Sequence, residues 1–468
     1  MFNKEKTKHY IKRAINKVKY TDIQGKTLCF DGFSTSYPEI KLYYSVGDKK
    51  FTNKIIYRVC DEDAFNAMEY DSWAALLTHV AFLLSPVFFK YDQFDFIKCT
   101  FGKVTKEMSD FYEFAITNML MEFRFLQGLD PNRDIKVIGN NDKKYYETKQ
   151  KQLIDKTLIL NGGGKDSSLS GEIIHTMNKD ACWFTVGLNE PRRLVVEQSH
   201  FEESIHLNYF LDDSIRTEGK FGYTPLASAT FATTLGVLTS YMLGYRYVIL
   251  SNEYSANEPN LVIGNAHVNH QFGKSFAFEE RYHHFVKKHL VDDVYYFSLM
   301  RPWYELKIVE VFSNYKQYFD KFISCNIGIS KNQWCKSCEK CAFILLCMAA
   351  FNDSEDLNSV FGENLFEKKK IRQHILTLTT AQTKPWECVG LKEECKLALA
   401  LTLKRFPDME FEEAPFRKDF ENACQNVDIE KESLTYIHHF NNNHLLPEEF
   451  VNALKQFSSV SKSIRSND

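Results

Sequence analysis

The run Asn161-Gly162-Gly163-Gly164-Lys165-Asp166-Ser167-Ser168 constrains this chain more than any other feature. It follows a short apolar segment, Thr157–Leu160, and precedes a stretch of helical character, Leu169–Met177. A strand, a glycine-rich turn and a helix in succession make an anion site. Glycine lets backbone N–H groups turn toward a ligand, and the first turn of the helix adds its positive end. Lys165 supplies a cation, Asp166 is a candidate ligand for Mg²⁺, and Ser167 and Ser168 donate hydrogen bonds or cap the helix. A plain glycine turn capped by Ser167 is the structural alternative.

Two common nucleotide motifs do not fit. A Walker loop needs Gly-x-x-x-x-Gly-Lys and then Ser or Thr. Here Asp166 follows Gly164-Lys165, and Ile159 stands where the first glycine belongs. The dinucleotide pattern Gly-x-Gly-x-x-Gly fails at Ser167, counting from Gly162. The run resembles instead the glycine loop of the PP-loop ATP pyrophosphatases, in a variant with three glycines and a lysine. Asn161 replaces the Ser or Thr that usually opens that loop. The resemblance implies that Asn161 to Ser168 bind ATP, which is split between its α- and β-phosphates. AMP is then left on an oxygen of the second substrate.

Beyond the loop, apolar runs at Cys182–Leu188, Tyr247–Leu250 and Val294–Leu299 read as strands. Leu226–Leu243 reads as a long buried helix. Strands alternating with helices predict an α/β fold with a parallel sheet. The expected order is an N-terminal α+β domain at 1–150, a PP-loop core at 151–350, and a mainly helical part at 351–468. The polar segment 139–152 suits a connection, and the chain closes on the polar run SKSIRSND.

Cys325, Cys335, Cys338 and Cys341 bring four thiols within a short span. Soft thiolates in a set of four suit a closed, structural zinc site. An iron–sulfur cluster has the same ligand count, and Cys347, Cys388 and Cys395 are alternative ligands. The remaining cysteines are scattered and suggest no disulfide framework, so a reducing cytoplasm is expected. With 58 basic and 61 acidic side chains, net charge −3, nothing draws the whole chain to nucleic acid. Aromatics at 15% argue against extensive disorder. The apolar stretch Val80–Phe89 is shorter than the roughly 20 residues a bilayer requires, so no membrane span is expected. Lys4, Lys6, Lys8, Lys12 and Arg13 precede no apolar region, so they read as a solvated basic helix rather than a secretory signal.

Further segments follow the loop in order. They are Ser251-Asn-Glu-Tyr-Ser-Ala-Asn257, Val268-Asn-His-Gln-Phe-Gly-Lys-Ser275, Arg301-Pro-Trp-Tyr-Glu-Leu306, the segment around Cys335–Cys341, and Lys384-Pro-Trp-Glu-Cys-Val-Gly390. Together they resemble the bacterial UDP-N-acetylmuramoyl-L-alanyl-L-glutamate epimerases over roughly residues 155–395. That resemblance implies ATP- and Mg²⁺-dependent adenylation of the terminal glutamate α-carboxylate of a nucleotide-linked peptidoglycan precursor. Inversion at the α-carbon and release of AMP and pyrophosphate then follow. Lys165 and Asp166 belong to the activating loop.

For the proton transfer the candidates are His270, Lys274, Glu253 and Cys388. His270 titrates in a useful range, Lys274 is a base if desolvated, and Cys388 is a thiol acid/base if its pKa is lowered. Structural roles remain the alternative for His270, Glu253 and Cys388. Asn269, His270, Gln271, Lys274, Ser275 and Arg301 are the substrate-binding candidates, Arg301 as a carboxylate or diphosphate clamp. Lys384 reads as solvated, Asp212–Asp213 as a turn, and His267, His283 and His284 as structural or exposed. The rivals are a PP-loop enzyme similar to the 7-cyano-7-deazaguanine synthases, and a nucleotide-binding sensor without turnover.

Overall fold

A computed structural model of the chain describes residues 25–221, 228–409 and 415–465. The basic residues Lys4 to Arg13, the start of the expected helix at Leu226, and the last three residues lie outside the described residues.

Twelve strands occur among the described residues. The first five are β1 (Thr27–Ser36), β2 (Glu39–Val46), β3 (Lys49–Val59), β4 (Phe96–Cys99) and β5 (Lys136–Ile138). β6 (Ile154–Leu160), β7 (Asp180–Val186), β8 (Ser204–Phe210) and β9 (Tyr245–Leu250) follow. The last are β10 (Leu261–Ile263), β11 (Ala266–Val268) and β12 (Tyr295–Ser298). Ten of them form one sheet in the order β12-β9-β6-β7-β8-β3-β2-β1-β4-β5, and β10 pairs with β11 alone. The half from β12 to β8 is parallel throughout. β8, β3, β2 and β1 pair antiparallel, and β4 and β5 return to parallel pairing. The sheet therefore runs across residue 150, so β1–β5 extend the same layer as β6–β9.

Side-chain alternation explains the two covered faces. Leu158 and Leu160 of β6 enter one core with Phe184, Val248 and Tyr296. Ile159 between them enters the other with Trp183, Ile249 and Phe297. The helices Tyr70–Leu84, Ser228–Leu243 and Phe276–His289 pack on the first face, and Lys165–Thr176, Glu305–Phe312 and Glu339–Ala349 on the second. β7 and β8 lie to one side of β6, and β9 and β12 to the other. The end of β6 is thus the point where strand order reverses, the usual crevice of an open α/β sheet.

The later chain is helical as its sequence suggests, with six α-helices from Ser354 to Arg465 among the described residues. The helix Glu448–Arg465 takes in the first part of the closing polar run, Ser461 to Arg465. The expectation that no apolar stretch reaches membrane length is corrected. Tyr70–Lys90 is long and apolar enough by length and composition, and its apolar window lies wholly inside the fold.

Gly171 marks a close helix–sheet approach behind the loop. A Cβ there would lie 2.8 Å from the ring of Trp183, itself fully buried. Gly171→Val is expected to lower the unfolding free energy by about 1–3 kcal/mol through overpacking. A urea titration checks this, and an unchanged midpoint would refute it.

Candidate functional site

The loop leaves the end of β6 and enters the helix Lys165–Thr176 at Gly164. Gly163 has φ +76°, and a Cβ there would meet Arg192 at 3.0 Å, so glycine is needed. Nothing lies within 4 Å of a Cβ built at Gly162, so that side of the loop is open. Asn161 organises the turn. Its Oδ1 accepts from Gly163 N at 2.8 Å, and its Nδ2 donates to the Arg192 carbonyl at 2.8 Å. An Asx turn of this kind makes Asn an effective opening residue. Ser167 and Ser168 both donate to the Gly164 carbonyl, at 3.0 and 3.1 Å. Their hydroxyls therefore bond back to the turn that precedes them, and the helix entry at Gly164 has no side-chain cap.

Lys165 is fully buried. Its ammonium lies 2.9 Å from Glu305 Oε1 and hydrogen-bonds Asp166. Burial opposes its charge, but the two carboxylates raise its pKa above that of a free lysine. Burial opposes ionisation of Glu305 too, yet Lys165 and Lys340 hold it at about 2. Burial pushes Asp166 up against the pull of Lys165, and the like charges of Glu305 and Glu253 add to the rise. A divalent cation at Asp166 would relieve that repulsion, so these residues fit Mg²⁺.

The 251–275 segment faces this cluster. Glu253 is buried. Lys274 stays protonated despite burial, under the charges of Cys388, Glu253, Asp166 and Glu305. Arg301 does not present its guanidinium to a ligand as expected. It is fully buried and makes four hydrogen bonds: two to Glu279, one to the Glu253 carbonyl and one to the Lys274 carbonyl. It braces the backbone at Glu253 and at Lys274. Asn269 donates to the Ala256 carbonyl and accepts from Gln271 N, and Ser275 caps the helix Phe276–His289. These two shape the turn. Gln271 is different, because both polar atoms of its buried amide lack a hydrogen-bond partner among the described residues.

His270 Nδ1 lies 2.9 Å from both carboxylate oxygens of Glu122. Its charge and that of Cys388 favour one another, so each holds the other ionised. Lys384 is half-buried rather than solvated, because its ammonium donates to the Ser255 carbonyl at 3.3 Å. Burial lowers its pKa, partly offset by Glu253 and Glu394. Asp212 caps a short helix, His283 bonds the Tyr296 carbonyl, and His267 and His284 are exposed.

Three site residues were not singled out from sequence. Glu122 lies on the helix Lys106–Leu126, in a region without a recognisable motif. Lys340 sits among the cysteines, which draw attention to themselves. Glu305 stands within the Arg301–Leu306 segment and was legible there as a carboxylate in an otherwise apolar run.

The Sγ atoms of Cys325, Cys335, Cys338 and Cys341 all lie within 4.8 Å of one another. Neighbouring pairs are 3.8, 3.7 and 3.6 Å apart. A tetrahedron with Zn–S bonds of about 2.3 Å has edges of about 3.8 Å. Gly328 N and Cys341 N point at sulfurs of the set, as amides around a thiolate metal do. Lys336, at φ +56°, forms the knuckle between Cys335 and Cys338. Cys347, Cys388 and Cys395 are not members of this set, the one such group among the described residues.

These features define an α/β protein with a glycine anion loop at the switch point of its sheet and a four-thiol metal-ligand set. The chain belongs to the MurL family: residues 22–299 match the MurL N-terminal domain, and residues 321–433 match the MurL C-terminal domain. It is 30% identical over 259 residues to the UDP-N-acetyl-alpha-D-muramoyl-L-alanyl-L-glutamate epimerase of Xanthomonas oryzae pv. oryzae, covering 53% of this chain and 57% of that protein. It is 32% identical over 248 residues to the protein of that name from a Micromonospora species, covering 51% and 55%. The match to the protein of that name from Salinispora tropica is 31% over 252 residues, covering 51% and 54%. The matched stretch thus spans just over half the length of these relatives.

The cysteine set predicts that the purified chain carries about one zinc per molecule. Cys338→Ser is expected to reduce bound metal and lower the melting temperature, as followed by elemental analysis and calorimetry. Full metal content and unchanged melting in that variant would contradict a four-thiol site.

Proposed function

We propose that this chain is an ATP- and Mg²⁺-dependent epimerase of UDP-N-acetylmuramoyl-L-alanyl-L-glutamate. It converts the terminal L-glutamate to D-glutamate through an acyl-adenylate and releases AMP and pyrophosphate, in cytoplasmic peptidoglycan synthesis. The observation that carries this reading is the anion loop at the end of β6 with Lys165 locked beneath it by Glu305. Membership of the MurL family and the names of the three relatives support the substrate. On this reading residues 151–350 contain a PP-loop core.

The chemistry is consistent with the residues. An α-proton beside a carboxylate resists removal because negative charge would build up next to an existing charge. Joining AMP to the carboxylate removes that charge and lets the carbanion delocalise as an enolate. The backbone of Gly162 to Gly164, open at Gly162, and the helix start behind it would take the phosphates. Lys165 would face the departing pyrophosphate, where its charge is favoured. Mg²⁺ bound at Asp166 would neutralise phosphate charge. Gln271, with an unpaired buried amide, offers one donor and one acceptor to the peptide part of the substrate.

Asn161 was the main support for a sensor without turnover. Its hydrogen bonds to Gly163 and Arg192 give it a turn-forming role that leaves the loop intact. A nucleobase-adenylating activity leaves the 269–275 and 384–390 segments without a task.

Incubation with ATP, Mg²⁺ and the muramoyl dipeptide in deuterated water should yield AMP, D-glutamate and deuterium at the α-carbon. Lys165→Ala is expected to reduce AMP formation by about 100-fold or more, the scale of losing a key electrostatic group. AMP release with a deazaguanine acid but not the dipeptide would overturn the proposal.

A further inference from the structure

We infer that Cys388, His270 and Glu122 form an acid/base relay, in which the Cys388 thiolate takes the α-proton, His270 holds the sulfur ionised and Glu122 is a positioning residue for His270. The inference rests on the epimerase reading above.

Three distant parts of the chain build the relay: the helix Lys106–Leu126, the 269–275 turn and the 384–390 segment. Glu122 occupies His270 Nδ1 at 2.9 Å, which leaves Nε2 free of that carboxylate, and the charge of Cys388 acts on the same imidazole. Asn260 ties the second part to the third. Its Oδ1 accepts from His270 N at 2.9 Å, and its Nδ2 donates to the Pro385 carbonyl at 2.6 Å. Trp386 packs on Phe125, with ring centroids 5.5 Å apart, and ties the third part to the first. Lys340 holds the Cys388 carbonyl from the cysteine-cluster side. A nucleophile or base, a partner imidazole and an orienting carboxylate, each braced by separate contacts, are the parts of a preorganised acid/base site.

The thiol chemistry sets Cys388 apart. Outside the metal set, Cys29, Cys60, Cys99, Cys182, Cys347, Cys395 and Cys424 are all pushed up by burial. Cys388 is only partly covered. Burial opposes its ionisation as well, but Lys274 and His270 bring it down to about 7. Burial disfavours the imidazolium of His270, which Cys388 and Glu122 nevertheless hold up to about 10. The charged groups facing Cys388 are Lys274, His270, Lys340 and Lys384, while Glu122 and Glu387 face His270. The thiolate–imidazolium pair thus exists between these two values.

The proton count closes within the site. The Cys388 sulfur takes the α-proton and becomes a thiol, and the C–H electron pair enters the enolate of the activated carboxylate. The Lys274 ammonium gives a proton to the opposite face, and the enolate pair forms the new C–H bond. Transfer of the thiol proton to the Lys274 amine restores the starting state.

The test uses the full chain, with dipeptide-dependent exchange of labelled pyrophosphate into ATP measured beside α-proton exchange in deuterated water. In Cys388→Ala, and in the size-conserving Cys388→Ser, proton exchange is expected to fall by about 100-fold or more, far beyond any loss in pyrophosphate exchange. In Glu122→Gln the imidazolium loses its partner and the thiol pKa rises. The acidic limb of kcat/KM, expected near 7 in the unaltered chain, therefore moves to higher pH. Proton exchange at the unaltered rate in both Cys388 variants overturns the relay alone. An unmoved acidic limb in Glu122→Gln removes Glu122 from it. No dipeptide-dependent pyrophosphate exchange in the unaltered chain overturns the epimerase reading itself.

Discussion

The ion pair between Lys165 and Glu305 is the contact on which the site depends. A buried ammonium is tolerated only where carboxylates and hydrogen bonds replace its water. Loss of either partner would leave an uncompensated buried charge, at a cost of about 3–5 kcal/mol. Glu305 begins the helix Glu305–Phe312, and that helix is fixed in turn by Glu394. Glu394 accepts from Leu306 N and from Ser255 Oγ, at 3.0 and 2.6 Å. Burial pushes Glu394 up to about 7 despite those donors. One connected network thus joins the glycine loop, the 251–257 segment and two helices of the second core.

The cysteine set extends that network without entering the crevice. Lys340 stands between Cys338 and Cys341 in sequence and reaches both Glu305, at 3.8 Å, and the Cys388 carbonyl. A metal that fixes the start of the helix Glu339–Ala349 would fix Lys340 with it. The N-terminal region contributes as well. Its strands widen the sheet, and its helix Lys106–Leu126 carries Glu122 to His270. A region without a motif therefore supplies one wall of the site.

Much of this was legible in the sequence where chemistry is local. The glycine loop, the strands beside it and the cysteine spacing are written in contiguous residues, and each forms where expected. β6 and β7 announce themselves by continuous apolar runs, as strands buried on both faces do. Contacts between distant segments were not legible. Nothing in the letters around Glu122 points to a histidine far along the chain. Arg301 looked like a ligand clamp because Arg suits that role, but Glu279 and two carbonyls take up its donors. Lys384 looked solvated because most lysines are, and the Ser255 carbonyl draws it inward. Ser167 and Ser168 fit either role from sequence, and the geometry at Gly164 makes both hydroxyls donors to its carbonyl rather than caps.

On the proposed epimerase reading, the glutamate carboxylate is joined to AMP before its α-proton moves. Heavy oxygen placed in the α-carboxylate of the muramoyl dipeptide tests this most directly, with mass analysis of the AMP formed. Hydrolysis of an acyl-adenylate at its carbonyl carbon leaves one labelled oxygen on the phosphoryl group of AMP, and that is the predicted result. Inversion of the glutamate with unlabelled AMP, or with ADP and phosphate as products, would contradict the account.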